Sequence, residues 1–157
     1  MPVTTLRQQA KTKAAKYCAY QERTQQEVRD KLYSYGLYSD LVEEILTELI
    51  MEGFVSEERY AKAFCRGKFM SNKWGKIKIT LGLRQKGISD YCIREGMKEI
   101  DESTYEDVLE KLLLKKWNSI ADDDVYVRKN KAAQYAIGKG YESELVWQKL
   151  ADIDANP

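Results

Sequence analysis

The sequence predicts an all-α protein built from three tandem three-helix repeats. The only two prolines are Pro2 and Pro157, so no proline interrupts a helix in between. Gly36, Gly87 and Gly140 are spaced 51 and 53 residues apart, and apolar residues recur at helical intervals around each of them. We expect each glycine to form a turn of positive φ between two helices. Stacking of such repeats predicts an elongated array of helices.

The repeat is visible when the three glycines are superimposed. Apolar residues recur 8 and 4 positions before each glycine and 6, 10 and 13 positions after it. In the first repeat these positions hold Val28, Leu32, Val42, Leu46 and Leu49. Spacings of three and four residues place side chains on one face of a helix. Each repeat is therefore expected to bury a core between the helices that flank its glycine.

Expected helix caps set the domain boundaries. We assign residues 1–13 to an N-terminal tail, 14–53, 54–101 and 102–153 to the three repeats, and 154–157 to a C-terminal tail. In the first repeat, Thr24 and Glu27 form the pattern of a capping box at the start of the second helix. Ser39 or Asp40 is expected to cap the third helix.

The second repeat contains one ambiguous segment. Ser56 is the expected N-cap of its first helix, since two glutamates follow it. Residues 76–81 alternate with a period of two, which is typical of a strand. A helix there would also contain Gly82, at a cost of about 1 kcal/mol relative to alanine. We predict a helix, because the aligned segments of the other repeats have a helical pattern.

The third repeat is expected to open at Ser103 and Thr104. Asp122, Asp123 and Asp124 then lie between two helices, where we interpret them as a solvated loop and cap. Three adjacent carboxylates cannot converge on one ion without ligands from elsewhere, so no metal site is predicted.

Charge is distributed unevenly along the chain. Residues 59–89 contain no carboxylate, although the chain has 25 Asp and Glu. The same segment holds nine basic residues, which are Arg59, Lys62, Arg66, Lys68, Lys73, Lys76, Lys78, Arg84 and Lys86. The rest of the chain is net negative. A cationic middle between acidic flanks indicates a polyanionic partner or an acidic groove on another protein.

The candidate contact residues come from this basic segment. They are Arg59, Lys62, Arg66, Lys73, Lys76, Lys78, Arg84 and Lys86. The three arginines are favoured, because guanidinium binds carboxylate or phosphate with two hydrogen bonds. Trp74 can either fill the core at a turn or stack on a base. The hypothesis requires an outward surface whose cations are not opposed by acids from the flanking repeats.

Composition excludes several classes of function. No histidine occurs, which removes the common Ser-His and Cys-His catalytic sites and most transition-metal sites. Three dispersed cysteines are expected to be buried in a reducing compartment. No apolar run is long enough for a membrane span, and the N-terminus lacks a signal sequence. We expect a cytoplasmic monomer that is not an enzyme and has no cofactor.

Three stretches of the chain resemble the RecX family of RecA regulators. The first is the sequence EGFVSEERYA at residues 52–61. The second combines Trp74-Gly75 with the segment LRQKGIS at residues 83–89. The third is Gly140-Tyr141 with the helix that follows. Relatives often have proline at the position of Lys76 and glutamate at that of Gly82, so the contacts of this helix are left open.

The resemblance implies three tandem three-helix repeats in a curved, elongated array. It also implies a non-enzymatic inhibitor that binds the RecA–DNA filament in its groove and restrains ATP hydrolysis and strand exchange. Single- or double-stranded DNA is a further possible partner, through its phosphates. The alternative function is a helix-turn-helix protein that reads DNA directly. The acidic residues Asp40, Glu43, Glu44 and Glu48 in the third helix of the first repeat argue against groove readout.

Overall fold

The computed structural model describes residues 3–155, and Met1, Pro2, Asn156 and Pro157 lie outside the described residues. Within that range the chain forms helices and no strand. They are α1 (Val3–Tyr20), α2 (Gln25–Ser34), α3 (Ser39–Met51), α4 (Glu57–Asn72), α5 (Lys76–Gln85), α6 (Asp90–Met97), α7 (Glu102–Ser119), α8 (Val125–Gly138) and α9 (Ser143–Ala155). The predicted all-α fold of three three-helix repeats is confirmed. No helix of this part of the chain is both long enough and apolar enough to cross a bilayer.

The chain divides into two compact units, one ending at Ala63 and the other starting at Phe64. In the first unit, α1, α2 and α3 bury a core of small and branched apolar side chains. Val28, Leu32, Val42 and Leu49 are fully buried there. In the second unit the repeat-equivalent residues Ile79, Leu83, Ile93 and Ile100 are buried as well. The apolar positions that recur around the aligned glycines therefore lie in the hydrophobic cores of the two units.

The N-terminal segment differs from the expected tail. Helix α1 already begins at Val3, and Ala10 and Ala14 are buried against the first core. Arg7 pairs with Glu44 and Glu48 of α3, and Lys11 pairs with Glu48 and Glu52. Short alanine side chains and a row of ion pairs hold this helix. The sequence predicts a polar tail here because this part of α1 contributes only small apolar side chains to the core.

These ion pairs make the stability of the first unit depend on pH. Hydrogen bonds from Arg7 and Lys11 lower the pKa of Glu48 from 4.5 to about 2. A lowered carboxyl pKa stabilises the folded state above the unfolded pKa, and this contribution disappears as the pH falls from about 4.5 towards 2. We expect Glu48→Gln to lower the urea midpoint at pH 7 and to match the parent near pH 2. Urea unfolding followed by circular dichroism checks this.

The control for this prediction is Glu110→Gln on α7, a change of the same chemistry at an exposed residue. It is expected to leave the midpoint of the first unit unchanged at every pH. If the urea midpoint of Glu48→Gln stayed below that of the parent by the same amount at pH 2, the charge of the Glu48 carboxylate would not be what stabilises the position of α1.

Of the two helix caps predicted in the first repeat, one agrees with the structure and the other does not. Thr24 accepts a hydrogen bond from the Glu27 N–H at 3.0 Å, and the Glu27 carboxylate accepts one from the Thr24 N–H at 3.0 Å. The predicted capping box is confirmed. The predicted cap at Ser39 or Asp40 is wrong, because α3 begins one residue earlier. Its N-cap is Tyr38, whose side chain makes no capping bond.

The three repeat glycines occupy the turns that were predicted for them. Gly36, Gly87 and Gly140 have φ of 87°, 76° and 102°, in the left-handed region that a residue with a Cβ rarely adopts. Each follows the second helix of its repeat and precedes the third. The prediction of positive φ at these turns is confirmed.

The ambiguous segment of the second repeat is helical, as predicted. Helix α5 covers it, and its alternation arises because the exposed Ile77 and Leu81 lie outside the buried face. Gly82 has a packing role, since a Cβ there would lie 2.9 Å from the Phe64 ring. The glycine that weakens the helix pattern therefore makes room for an aromatic ring.

The third repeat begins slightly before the expected position. Asp101 is the N-cap of α7, and its carboxylate accepts the Thr104 N–H at 3.0 Å. Ser103 and Thr104 lie within the first turn. Asp124 caps α8 by accepting from the Tyr126 N–H at 2.9 Å. The expected capping role in the aspartate cluster is confirmed at this residue.

Candidate polyanion-binding surface

Three of the candidate basic residues in the second unit are paired with acids. Arg66 on α4 contacts Glu99 at 2.5 Å, and Arg84 on α5 lies 3.6 Å from Asp90. Lys76 at the start of α5 pairs with Glu102 of α7. The expectation of a cationic surface unopposed by acids is wrong for these residues. The three acids lie on α6, in the α6–α7 turn and on α7, all after the acid-free segment. A count of charges along the chain cannot show that they reach back to these cations.

The two candidates in the first unit are also paired. The Arg59 guanidinium lies 2.9 Å from Glu22, which stands just after α1. Lys62 lies 3.2 Å from Glu58, one turn earlier on α4. Both basic groups remain partly exposed. Arg59, one of the three arginines favoured as partner contacts, is thus already paired with a carboxylate of the same chain.

Two lysines of the second unit converge on Trp74 instead. The ammonium of Lys68 lies 4.8 Å from the centre of the Trp74 ring, and that of Lys78 lies 4.5 Å from it. Neither lysine takes part in an ion pair within the described residues. Phe64 packs edge-on against the same indole at 6.3 Å. The indole is half-buried, so packing and an outward aromatic contact are both compatible with its position.

Lys73 lies just beyond the end of α4. It has φ of 59°, and its ammonium donates to the Met70 carbonyl at 2.8 Å. Because α4 ends at Asn72, Lys73 lies outside that helix. Lys86 is the exposed C-cap residue of α5. Both lysines are without an ion pair among the described residues.

The turn that carries Lys73 and Trp74 is held by the third repeat. The Gly75 N–H donates to the Lys139 carbonyl at 2.8 Å, and the Ile77 N–H donates to the Gly140 carbonyl at 2.9 Å. The Lys76 N–H donates to the Tyr105 hydroxyl at 3.0 Å. The first N–H groups of a helix have no partner inside it. Here the α8–α9 turn and α7 satisfy them.

Close backbone contact makes this junction tight. A Cβ on Gly75 would lie far inside van der Waals distance of the backbone of Gly140 and Tyr141. A Cβ on Gly140 would collide in the same way with Lys78. Two glycines therefore let α5 and the α8–α9 turn meet main chain to main chain.

Two buried tyrosines complete the junction. The rings of Tyr105 and Tyr141 stack at 5.0 Å, and the ring of Phe69 lies 5.7 Å from that of Tyr105. The Tyr105 hydroxyl donates to Glu142, and the Tyr141 hydroxyl donates to the Lys73 carbonyl at 2.9 Å. Burial raises the pKa of both phenols. Both hydroxyls therefore stay protonated and act as donors.

Lys139 is a residue that sequence reasoning missed. Its ammonium donates to the Asn72 carbonyl at 2.8 Å, which brings a lysine of the third repeat to the α4–α5 turn. The repeat alignment held a signal, because Lys139 precedes its glycine as the candidate Lys86 precedes Gly87. Lys68 was also left out of the candidates, although it lies on Trp74.

The cysteines are buried thiols. Cys18, Cys65 and Cys92 are all free and buried, as expected. Burial raises the pKa of Cys65 to about 11, so this thiol remains protonated and unreactive near neutral pH.

Comparison with known families matches all three repeats. The first three-helix domain of RecX matches residues 10–49, the second matches 56–97, and the third matches 104–150. The first match begins inside α1, in agreement with the packed N-terminal helix.

Individual relatives give the same result. The chain is 30% identical to a regulatory protein RecX of Clostridium acetobutylicum over 92% of its own length and 66% of the relative's. It is 31% identical to a regulatory protein RecX of Streptococcus uberis, over 87% of this chain and 52% of the relative. The chain thus spans between about half and two thirds of these relatives. The crystal structure of RecX from Lactobacillus salivarius superimposes with a TM-score of 0.87 at 25% identity, over 97% of this chain and 99% of that one.

Proposed function

Because the chain belongs to the RecX family, we propose that it regulates a RecA recombinase as an inhibitor. It binds the RecA–DNA filament in its helical groove and slows ATP hydrolysis and strand exchange. It acts in the cytoplasm by binding and catalyses no reaction. The observation that carries the proposal is the match to all three RecX domains over most of the chain. The names of the relatives, regulatory protein RecX, support the regulatory role.

The second repeat supplies the contact surface in this proposal. The candidates are the eight basic residues named from the sequence and Trp74, and we expect the lysines without an acidic partner to contribute most. Helix α5 and its C-cap carry Lys76, Lys78, Arg84 and Lys86. Lys78 and Lys86 have no carboxylate partner among the described residues, whereas Lys76 and Arg84 are paired with Glu102 and Asp90. Long-range attraction by such a surface speeds association with an anionic filament and weakens as salt is added.

The first repeat supports regulation over direct reading of DNA sequence. Helix α3 is acidic, and α1 lies against its glutamates through Arg7 and Lys11. A recognition helix needs a free face of basic or amide side chains in the major groove. The face of α3 that meets α1 does not offer one.

The test is the rate of ATP hydrolysis by the cognate RecA on single-stranded DNA, measured as the purified chain is added. We expect the chain to lower the rate in a saturable way and to hydrolyse no ATP itself. A variant with glutamine at Lys76, Lys78, Arg84 and Lys86 should require roughly tenfold more protein for the same effect, because four cations are lost from α5 and its C-cap.

The matched control carries glutamine at Lys111 and Lys115 on α7, which are exposed lysines outside the second repeat. It should inhibit as the parent does. No change in ATP hydrolysis with the parent chain, at concentrations where both proteins are folded, would reject the inhibitory role. Equal inhibition by the α5 variant and the parent would reject α5 as the contact.

A further inference from the structure

Part of the positive charge that the second unit leaves without an ion pair lies around Trp74. Arg66, Lys76 and Arg84 are each opposed by a carboxylate. Lys68 and Lys78 lie over the Trp74 ring, at 4.8 Å and 4.5 Å from its centre, and Lys68 also lies 5.5 Å from the centre of the Phe64 ring. Two cations of the basic segment therefore share one aromatic ring.

Two more lysines join this cluster at the α4–α5 turn. The ammonium of Lys73 is held by the Met70 carbonyl, and that of Lys139 by the Asn72 carbonyl, both at 2.8 Å. Carbonyl oxygens satisfy one ammonium hydrogen each and leave the charge and two further donors available. None of the four lysines forms an ion pair within residues 3–155.

The backbone fixes the relative position of the four lysines. The Gly75 N–H donates to the Lys139 carbonyl at 2.8 Å, and a Cβ on Gly140 would collide with Lys78. Lys139 of the third repeat is thereby held beside the turn of the second. A partner thus meets ammonium groups from two repeats. The second repeat supplies three of the four lysines, and the third repeat supplies Lys139.

The aromatic ring among the lysines favours nucleic acid over an acidic protein segment. Guanidinium binds carboxylate and phosphate alike with two hydrogen bonds, but Arg66 and Arg84 are already used on Glu99 and Asp90 of this chain. The four cations around the α4–α5 turn are lysines, which bind phosphate as point charges. An aromatic ring among cations is also the arrangement that proteins use for single-stranded nucleic acid, whose bases stack while its phosphates pair.

We propose that Lys68, Lys73, Lys78 and Lys139, together with Trp74, form a composite site for the phosphate backbone of single-stranded DNA. This site deepens the proposed function, because it gives the chain a direct contact with the DNA of a filament. Lys139 is a binding residue in it, although it lies outside the acid-free segment.

The experiment uses the emission of Trp74 in the full chain. Trp117→Phe and Trp147→Phe leave Trp74 as the sole tryptophan. Oligothymidylate is added to this protein at several salt concentrations, without any recombinase. We expect saturable quenching and a dissociation constant that rises steeply with salt. For single strands the logarithmic slope is about 0.7 per phosphate contact.

Lys139→Gln, made in the same background, tests the composite nature of the site. It is expected to weaken binding by roughly threefold to tenfold and to lower the salt slope by about 0.7, the value for one lost contact. Lys115→Gln on α7 is the matched control and should leave both quantities unchanged. An unchanged slope in Lys139→Gln, with the helix content of the parent, would overturn the part played by the third repeat.

Poly-glutamate of matched charge serves as the competing ligand. Tighter binding of poly-glutamate than of oligothymidylate would overturn the assignment to phosphate and point to an acidic protein segment. Absence of quenching by oligothymidylate at low salt would overturn the site itself. Both outcomes are independent of ATP hydrolysis by a recombinase, so failure here leaves the inhibitory role to be decided by its own assay.

Discussion

Gly75→Ala is expected to destabilise the second unit by about 3 kcal/mol, the upper part of the usual range for overpacking. The φ of Gly75 is −79°, so alanine is compatible with its backbone conformation. The cost comes from the methyl group, which would collide with backbone atoms of Gly140 and Tyr141. Backbone cannot move aside as a flexible side chain can, and the hydrogen bonds of Gly75 and Ile77 to the α8–α9 turn would lengthen.

Urea unfolding followed by tryptophan fluorescence measures this effect, because Trp74, Trp117 and Trp147 all lie in the second unit. Gly67→Ala on α4 is the matched control. A Cβ there meets nothing within 4 Å, and the residue lies inside a helix, so this change should stabilise the protein by up to about 1 kcal/mol. Equal midpoints for the two variants would show that the junction between the second and third repeats is not closely packed.

Tyr105→Phe is expected to destabilise the second unit by about 2 kcal/mol, although it removes a single oxygen atom. The Tyr105 hydroxyl accepts from the Lys76 N–H at 3.0 Å and donates to Glu142. Its side chain is fully buried. Phenylalanine fills the same space but leaves a helix N–H and a carboxylate each short of one partner, which costs about 1–3 kcal/mol in a buried setting. The same urea experiment gives the difference.

Tyr141→Phe is the comparison for this prediction. It also removes one buried hydroxyl, but the lost bond is a single one, to the carbonyl of Lys73, whereas Tyr105 loses two. A loss of about 1 kcal/mol or less is expected. If Tyr141→Phe lowered the free energy of unfolding more than Tyr105→Phe did, the hydrogen bond from Tyr141 to the Lys73 carbonyl would support the turn more than the bond between Tyr105 and the Lys76 N–H does.

The fold was largely predictable because its main signals are local. Gly36, Gly87 and Gly140 mark the turns through a backbone requirement that needs no knowledge of partners. The capping box at Thr24 is equally local, since both of its hydrogen bonds join residues three apart. Helix α1 was missed over its first turns because its packing depends on Ala10 and on ion pairs with α3, which have no periodic apolar signature.

The candidate surface was less predictable, because the partners of a charge lie far along the chain. Arg66 and Glu99 are 33 residues apart, and Arg59 and Glu22 are 37 apart. The acid-free segment showed that residues 59–89 contain no carboxylate, but it could not show which of their cations are opposed in the fold. The repeat alignment makes Lys139 equivalent to Lys86, but its position at the α4–α5 turn depends on the contact between Gly75 and Gly140, which the sequence does not show.

The central claim is that the partner meets the lysines that the chain leaves unpaired, and not the arginines that it neutralises. Two variants separate these groups. One carries glutamine at Lys68, Lys78 and Lys139, and the other carries glutamine at Arg59, Arg66 and Arg84. Each removes three positive charges, so the difference between them cannot come from net charge.

The decisive measurement is the concentration of each variant that halves ATP hydrolysis by RecA on single-stranded DNA, at one fixed salt concentration. We expect the lysine variant to need roughly tenfold more protein than the parent, and the arginine variant no more than about threefold. The reverse order, with both variants as helical as the parent by circular dichroism, would contradict the claim and place the contact on the arginines instead.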